Sequence, residues 1–240
     1  MEWMDQPGIS FAEHQLALKG LARLNAVSGA HGKVWKALAE ALEVEKGPRE
    51  PVRVIDIATG GGDLPICLFK RARAAGIDLR ILAVDRAEGA LQHALASCEA
   101  AGVPADLDTD FPDRPGIHFA VADALQKPLA LPKADWVTSS LFLHHLTGEE
   151  ARDLLHGLEE IAEKGLVIAD LDRGWLNTLL VTLGSYLLSR SPLVHHDGPA
   201  SIRAAFSRSE AEALVGWAGL GGATVKTAFP GMWVMRLVRN

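Results

Sequence analysis

The residues of this chain best placed to do chemistry lie in one glycine-rich stretch, residues 54–65, which reads VIDIATGGGDLP. A β-branched run leads into three consecutive glycines, and a helix-like segment, residues 64–75, follows them. A strand that turns on glycines into the N-terminus of a helix brings backbone N–H groups close to a ligand. The stretch therefore predicts a ligand-binding turn between a buried strand and a helix.

The spacing of residues within this stretch distinguishes between the common classes of glycine-rich, ligand-binding loop. The phosphate-binding loop needs Gly-Lys followed by Ser or Thr, which the chain lacks, and the dinucleotide fingerprint needs a glycine where Pro65 stands. The pattern acid-x-small-x-Gly-x-Gly fits, with Asp56, Ala58, Gly60 and Gly62. Here the chain resembles the class I S-adenosylmethionine-dependent methyltransferases, and the Gly-Asp-Leu that follows is most similar to their ubiquinone/menaquinone C-methyltransferase branch. A glycine-rich turn of some other protein class is the alternative.

The resemblance implies S-adenosyl-L-methionine as the cofactor and assigns it a set of loop residues. Asp56 interrupts an apolar strand, so its carboxylate needs donors, which loop amides and the ammonium of the cofactor could supply. Asp63 is interpreted as the N-cap of the following helix. The assigned loop residues are Asp56, Ala58, Thr59, Gly60, Gly61 and Gly62.

Further cofactor contacts are predicted where later strands end. Asp85 closes the second strand, 23 residues after Gly62, where an acid would accept the two ribose hydroxyls; capping the next helix is its alternative role. In the family that this chain resembles, the position of Asp123 reads the adenine amino group. Ser139 ends the fourth strand and is expected to face the same cleft, or to be a turn residue. The residues assigned in this group are Asp85, Arg86, Asp123, Ala124 and Ser139.

Two adjacent histidines, His144 and His145, are the candidates for catalysis. They lie in a segment after the fourth strand that resembles small-molecule O-methyltransferases, in which a histidine there deprotonates the acceptor hydroxyl. A near-neutral pKa makes histidine suitable for this task. We expect His144 to be the base and His145 to be the second choice; a hydrogen bond beneath the neighbouring helix is the alternative for either.

The rest of the chain alternates strand-like and helix-like segments. Apolar runs at 79–84, 117–121, 136–139 and 165–169 predict buried parallel strands. The last two strand-like runs, 223–229 and 232–238, are so close together that they must form an antiparallel hairpin. The pattern predicts an α/β, Rossmann-like sheet of seven strands, mostly parallel, with one reversed edge strand and helices on both faces.

We divide the chain into an N-terminal helical cap, residues 1–50, and a methyltransferase domain, residues 51–240. Residues 24–29 and 35–36 resemble the N-terminal segment that closes over the cofactor in the quinone-methylating branch. An insertion at 172–206 carries a long apolar run and His195-His196-Asp197, and we expect it to cover a hydrophobic or aromatic acceptor; a helix pair at a dimer interface is the alternative. No metal is expected.

Composition limits the partners. Among 240 residues, 48% are hydrophobic and the net charge is −6, which disfavours a nucleic-acid-binding surface. Two cysteines without metal-ligand spacing, and the absence of a signal-peptide pattern at the N-terminus, favour a cytoplasmic protein without stable membrane insertion. We expect an enzyme with a small-molecule acceptor and a homodimer as a further possibility. The alternatives are a macromolecule (RNA or protein) methyltransferase and a non-catalytic cofactor-binding scaffold.

Overall fold

The structure, a computed structural model, describes residues 11–44, 50–127 and 129–239. Within these ranges the chain forms eight α-helices, eight strands and a short 3₁₀ helix, Leu143–His145. The helices are α1 (Phe11–Ser28), α2 (Ala30–Val44), α3 (Asp63–Ala74), α4 (Glu88–Ala101), α5 (Gly148–Ile161), α6 (Trp175–Leu188), α7 (Pro192–Ala204) and α8 (Arg208–Trp217). The strands are β1 (Val52–Ile57), β2 (Leu79–Asp85), β3 (Ala105–Leu107), β4 (Gly116–Val121), β5 (Ala134–Ser140), β6 (Ala162–Leu171), β7 (Thr224–Ala228) and β8 (Met232–Val238).

The strands form one sheet in the order β3-β4-β2-β1-β5-β6-β8-β7. All neighbouring pairs are parallel except β6–β8 and β7–β8, which are antiparallel. The predicted α/β fold, mostly parallel with a C-terminal antiparallel hairpin, is therefore confirmed. The chain moves outward from β1 through β2 to the edge strand β3, returns to β4 between them, and then restarts at β5 on the other side of β1. The switch point, where such sheets bind ligands, thus lies at the carboxyl ends of β1 and β5.

Two details of the predicted sheet are wrong. The described sheet has eight strands, because the three residues of β3 add a short parallel edge beside β4. The reversed strand, β8, lies between β6 and β7 and not at the edge. Burial explains this order: β8 buries Met232, Trp233, Met235 and Leu237, whereas β7 exposes much of its length, as an edge strand does.

The helices that cover the sheet fall into two layers. On one face α2, α3 and α4 pack on side chains such as Val54, Ile81 and Phe119. On the other face α5 and α8 pack on Ile55 and Ile168 among others. Helix α1 contacts α6 and α7 outside these layers, and α7 contacts the Leu143–His145 helix. No helix in the described ranges is both long and apolar enough to cross a bilayer.

Local sequence signals set several helix boundaries. Thr147 and Ser207 each form a complete capping box with the glutamate three residues later, at the starts of α5 and α8. Gly102 ends α4 in the left-handed conformation, with φ of 65°. These caps hold the ends of the helices that flank the strand termini.

Candidate active site

The glycine-rich loop between β1 and α3 is a tight turn built on left-handed residues. Ala58, Gly60 and Gly62 have φ of 55°, 53° and 79°. The Thr59 N–H donates to the Val84 carbonyl at 3.0 Å, which ties the loop to the neighbouring strand. An alanine held in this region costs about 1–2 kcal/mol, and such strained residues concentrate at functional sites.

The three glycines of this loop have different roles. A Cβ at Gly62 would lie 2.9 Å from the Ala94 Cβ, so Gly62 permits close packing of α4. Gly62 is also the N-cap position of α3, which corrects the interpretation of Asp63 as the cap. At Gly61 a Cβ would lie 3.2 Å from the His93 ring, whereas at Gly60 it would meet no atom within 4 Å. Gly60 therefore leaves open space on the outer side of the loop.

Asp85 joins this loop to the end of β2. Its Oδ2 accepts the Gly60 N–H at 2.8 Å, and its Oδ1 accepts the Ala87 N–H at 2.9 Å at the start of α4. The capping role considered from the sequence is thus present. A carboxylate can accept about four hydrogen bonds, so the half-buried Asp85 retains capacity for further donors.

Asp56 lies fully buried beneath the loop, at the end of β1. Desolvation raises the pKa of Asp56 to about 7, and the nearby Asp85 carboxylate also raises it, while the hydrogen bond from Thr138 lowers it. The Thr138 hydroxyl donates to Oδ1 at 2.8 Å from the facing position on β5. An added cation at this place would favour the ionised carboxylate.

The other predicted cofactor residues differ in their accessibility. Arg86 and Asp123 are exposed, and the Asp123 Oδ1 accepts the Leu125 N–H at 2.9 Å. Ala124 is half-buried against the core. Ser139 is fully buried and donates its hydroxyl to the Ile57 carbonyl at 3.0 Å, so the structure does not place it on the cleft surface. The Ser139 hydroxyl, which we expected to face a ligand, therefore bonds to the adjacent strand β1 instead.

His144 is paired with a carboxylate that sequence reasoning missed. The buried Asp170, near the end of β6, lies 2.7 Å from the His144 Nδ1 through Oδ1 and accepts the His144 backbone N–H at 3.0 Å through Oδ2. An ionised carboxylate only accepts, so Nδ1 carries the proton and the neutral ring has its basic lone pair on Nε2. The available signal was an acid within an apolar strand, the same signal that drew attention to Asp56.

His145 occupies a different environment from its neighbour. Its side chain is exposed, and its ring centroid lies 4.3 Å from that of His144. The Leu143–His145 helix continues directly from the end of β5, where Leu141 has φ of 58°. A residue other than glycine therefore adopts the left-handed backbone conformation after each strand at the switch point. Ala58 does so after β1, and Leu141 does so after β5.

The register of the strands places the segments that follow their carboxyl ends at one edge of the sheet. Ile57 faces Val84 and Ser139 on its two neighbours, and Asp85 faces Val121. The segments that follow these residues, namely the glycine loop, the start of α4, the Asp123 turn and the histidine helix, therefore emerge side by side. Within the described ranges, no group of three potential metal ligands lies together.

The beginning of α2 reaches the same edge. His31 has a pKa lowered by burial, which the charge of Asp63 at the start of α3 partly counteracts. The Lys33 ammonium donates to the Ser28 carbonyl at 2.9 Å and to the Pro230 carbonyl at 3.1 Å. The N-terminal helices are thereby held between the glycine loop and the C-terminal hairpin.

Comparisons with solved structures place this fold among methyltransferases. Magnesium protoporphyrin IX methyltransferase from Synechocystis PCC 6803, solved with S-adenosylhomocysteine, matches with a TM-score of 0.57 and 17% identity over 98% of this chain and 90% of its own. The plantazolicin methyltransferase BpumL matches at 0.61 and 14% over 95% and 98%. Human N-acetylserotonin methyltransferase, in complex with S-adenosylmethionine, matches at 0.60 and 16% over 95% and 56%.

These likenesses establish the fold. The chain spans only 56% to 63% of the length of several of the methyltransferases that it matches. No protein-family model matches the sequence. No curated protein matches it significantly. The chain has the fold of the S-adenosylmethionine-dependent methyltransferases.

Proposed function

We propose that this protein is an enzyme that transfers a methyl group from S-adenosyl-L-methionine to a small acceptor, hydrophobic or aromatic, through a hydroxyl or a quinol-type ring. The observation that carries the proposal is the hydrogen bond between the Gly60 amide and Asp85 at the switch point of a methyltransferase-like sheet. The solved neighbours that carry S-adenosylmethionine or S-adenosylhomocysteine support the same cofactor.

The residues at this edge of the sheet suit that cofactor. Asp85 would accept the ribose hydroxyls, the open side of Gly60 would admit the nucleoside, and the exposed Asp123 with Ala124 would meet the adenine. Asp56 beneath the loop would ionise fully beside a cation such as the ammonium of the amino-acid part. When bound, the cofactor supplies an electrophilic methyl group on a sulfonium.

His144 would act as the general base. With Nδ1–H held by Asp170, the Nε2 lone pair can take the proton of an acceptor hydroxyl as the oxygen becomes nucleophilic. The same carboxylate stabilises the imidazolium that results, because opposite charges at 2.7 Å attract strongly in a buried site. The exposed His145 remains the alternative base, and for a ring-carbon acceptor the histidine would deprotonate the quinol.

The insertion at 172–206 supports an acceptor site beside the histidine. Its second helix, α7, contacts the Leu143–His145 helix and so lies beside the segment that carries His144. Together with α1 and α2 it would enclose an apolar acceptor, in the manner expected for the quinone-methylating branch. Two of the solved neighbours are a magnesium protoporphyrin IX methyltransferase and an N-acetylserotonin methyltransferase, and both names denote small-molecule acceptors.

Two measurements test the proposal. Calorimetry with S-adenosylhomocysteine should show saturable binding that Asp85→Ala weakens. Incubation with S-adenosylmethionine and a panel of phenols and quinols should then give products heavier by one CH₂ in mass spectrometry, because the methyl group replaces a proton of the acceptor. Binding without any methylated small molecule would favour a scaffold, and transfer to RNA or protein would favour a macromolecule methyltransferase; either result would contradict the proposal.

A further inference from the structure

Helix α6 presents an apolar face that the described residues leave uncovered. Seven of its fourteen side chains are large, apolar and exposed, with exposed fractions from 43% for Leu180 to 84% for Leu187. The opposite side, marked by the buried Ser185, is the side covered by α1 and α7. The exposed residues of this face are Trp175, Leu176, Leu179, Leu180, Leu183, Tyr186 and Leu187.

The area of this face is close to what one side of a stable protein interface needs. With about 200 Å² for a whole aromatic side chain and somewhat less for leucine, the exposed fractions amount to roughly 600–800 Å². The largest apolar patch on a typical monomer is about 300–600 Å². A standard interface buries about 800 Å² on each partner. The α6 face is therefore large enough to support a lasting contact.

The leucine spacing on α6 suits contact with a second copy of the same helix. Leu176, Leu180, Leu183 and Leu187 follow one another at intervals of four, three and four, which is the a/d spacing of a helix–helix seam. This set of intervals reads the same in both directions. Two antiparallel copies related by a twofold axis between residues 181 and 182 would place Leu180 opposite Leu183, and Leu176 opposite Leu187. A twofold dimer requires a self-complementary surface of this kind.

Charge argues against a lipid surface as the occupant. Helices that lie on membranes carry Lys and Arg on their polar side, whereas α6 contains no charged residue. At its N-terminal end, Arg173 is ion-paired with Glu210. The whole chain has a net charge of −6, which anionic lipids would repel.

We infer that the protein forms a twofold homodimer in which the exposed leucine face of α6 packs antiparallel against the same face of a second copy. The contact uses the outer side of the insertion, while α7 on its inner side contacts the Leu143–His145 helix. The inference rests on exposure, area and spacing, and so it is independent of the proposed methyl transfer.

The test uses paired charge variants on the full-length chain. Leu183→Glu and Leu180→Lys each place two unpaired charges in the contact, one from each copy, and each should weaken the dimer at least ~30-fold in sedimentation or light scattering. Mixing the two variants should restore a dimer, because the lysine of one chain then lies opposite the glutamate of the other. The matched control is Leu107→Glu, which changes an exposed leucine on the distant edge strand β3 and should leave the dimer intact.

Several results would overturn the inference. A wild-type chain that stays monomeric across a hundredfold range of concentration would do so, as would a Leu183→Glu chain that remains dimeric. Failure of the mixed variants to associate would exclude the antiparallel register. Wild-type monomers that bind phosphatidylglycerol vesicles, with binding lost in Leu183→Glu, would assign the face to lipid instead.

Discussion

The pairing of His144 with Asp170 makes a sharp prediction for Asp170→Asn. The amide is nearly the same size as the carboxylate, but its NH₂ group can donate to Nδ1 and so favour the tautomer with the proton on Nε2. That tautomer cannot accept a proton from the substrate. We expect turnover to fall ~10²–10⁴-fold, up to the whole contribution of a general base. Affinity for S-adenosylhomocysteine should stay the same, because in the described ranges the hydrogen bonds of Asp170 join it to His144 and Leu171 and to no predicted cofactor residue.

Stability must be measured separately from turnover in this variant. Asp170 accepts three bonds, from the His144 ring, the His144 N–H and the Leu171 N–H. Replacing the charged acceptor by an amide should lower the free energy of unfolding by about 1–3 kcal/mol. A shift in the urea midpoint with an unchanged slope would report this cost, and assays well below that midpoint would then reflect chemistry alone.

The decisive assay is a double-mutant cycle on turnover. If Asp170 acts through the ring, His144→Ala should lose a similar factor, and adding Asp170→Asn to it should cost little more. The matched control is Asp172→Asn, which removes a nearby carboxylate that accepts the Arg208 N–H at 3.0 Å. Near-normal turnover in a folded Asp170→Asn protein, or additive losses in the double variant, would refute the role of Asp170 in positioning the base.

Three further predictions concern the loop and the residues around it. Gly60→Val should abolish cofactor binding but leave the sheet folded, whereas Gly76→Val, with similar left-handed strain and equally open surroundings, should keep full affinity in calorimetry; equal affinities would show that the loop does not approach the ligand. Asp85→Ala should weaken S-adenosylhomocysteine binding about 10- to 150-fold, since it removes about 1.5–3 kcal/mol of charged hydrogen bonding; unchanged affinity in a folded variant would remove Asp85 from the site. Because burial raises the pKa of Asp56 from 3.8 to about 7, the unfolded chain loses this proton first, so the wild type should lose stability relative to Asp56→Asn as the pH rises between those values and level off above them. If the free energies of unfolding of the two proteins change in parallel over that pH interval, the Asp56 carboxylate ionises normally in the folded protein.

Much of the local structure could be read from the sequence, because it depends on interactions between residues close together in the chain. The capping boxes at Thr147 and Ser207 each need only a hydroxyl and a glutamate three residues apart. The glycine loop follows from left-handed backbone that glycine adopts without strain, as at Gly60 and Gly62. Apolar runs separated by helix-length segments specify parallel strands for a similar reason, since each crossover requires its helix.

Tertiary structure alone decided the features that depend on distant partners. His144 and Asp170 lie 26 residues apart and meet only because β5 and β6 are adjacent. Ser139 was assigned to the cleft, but the pairing of β5 with β1 uses its hydroxyl. Either strand of the C-terminal hairpin could have paired with β6. In the structure β8 does so, because this position buries the apolar residues of β8. The apolar run of α6 could have been core or surface, and only the packing of α1 and α7 on one side of it left its leucines exposed. In each case the sequence specifies what a residue can do, and long-range packing determines which partner it finds.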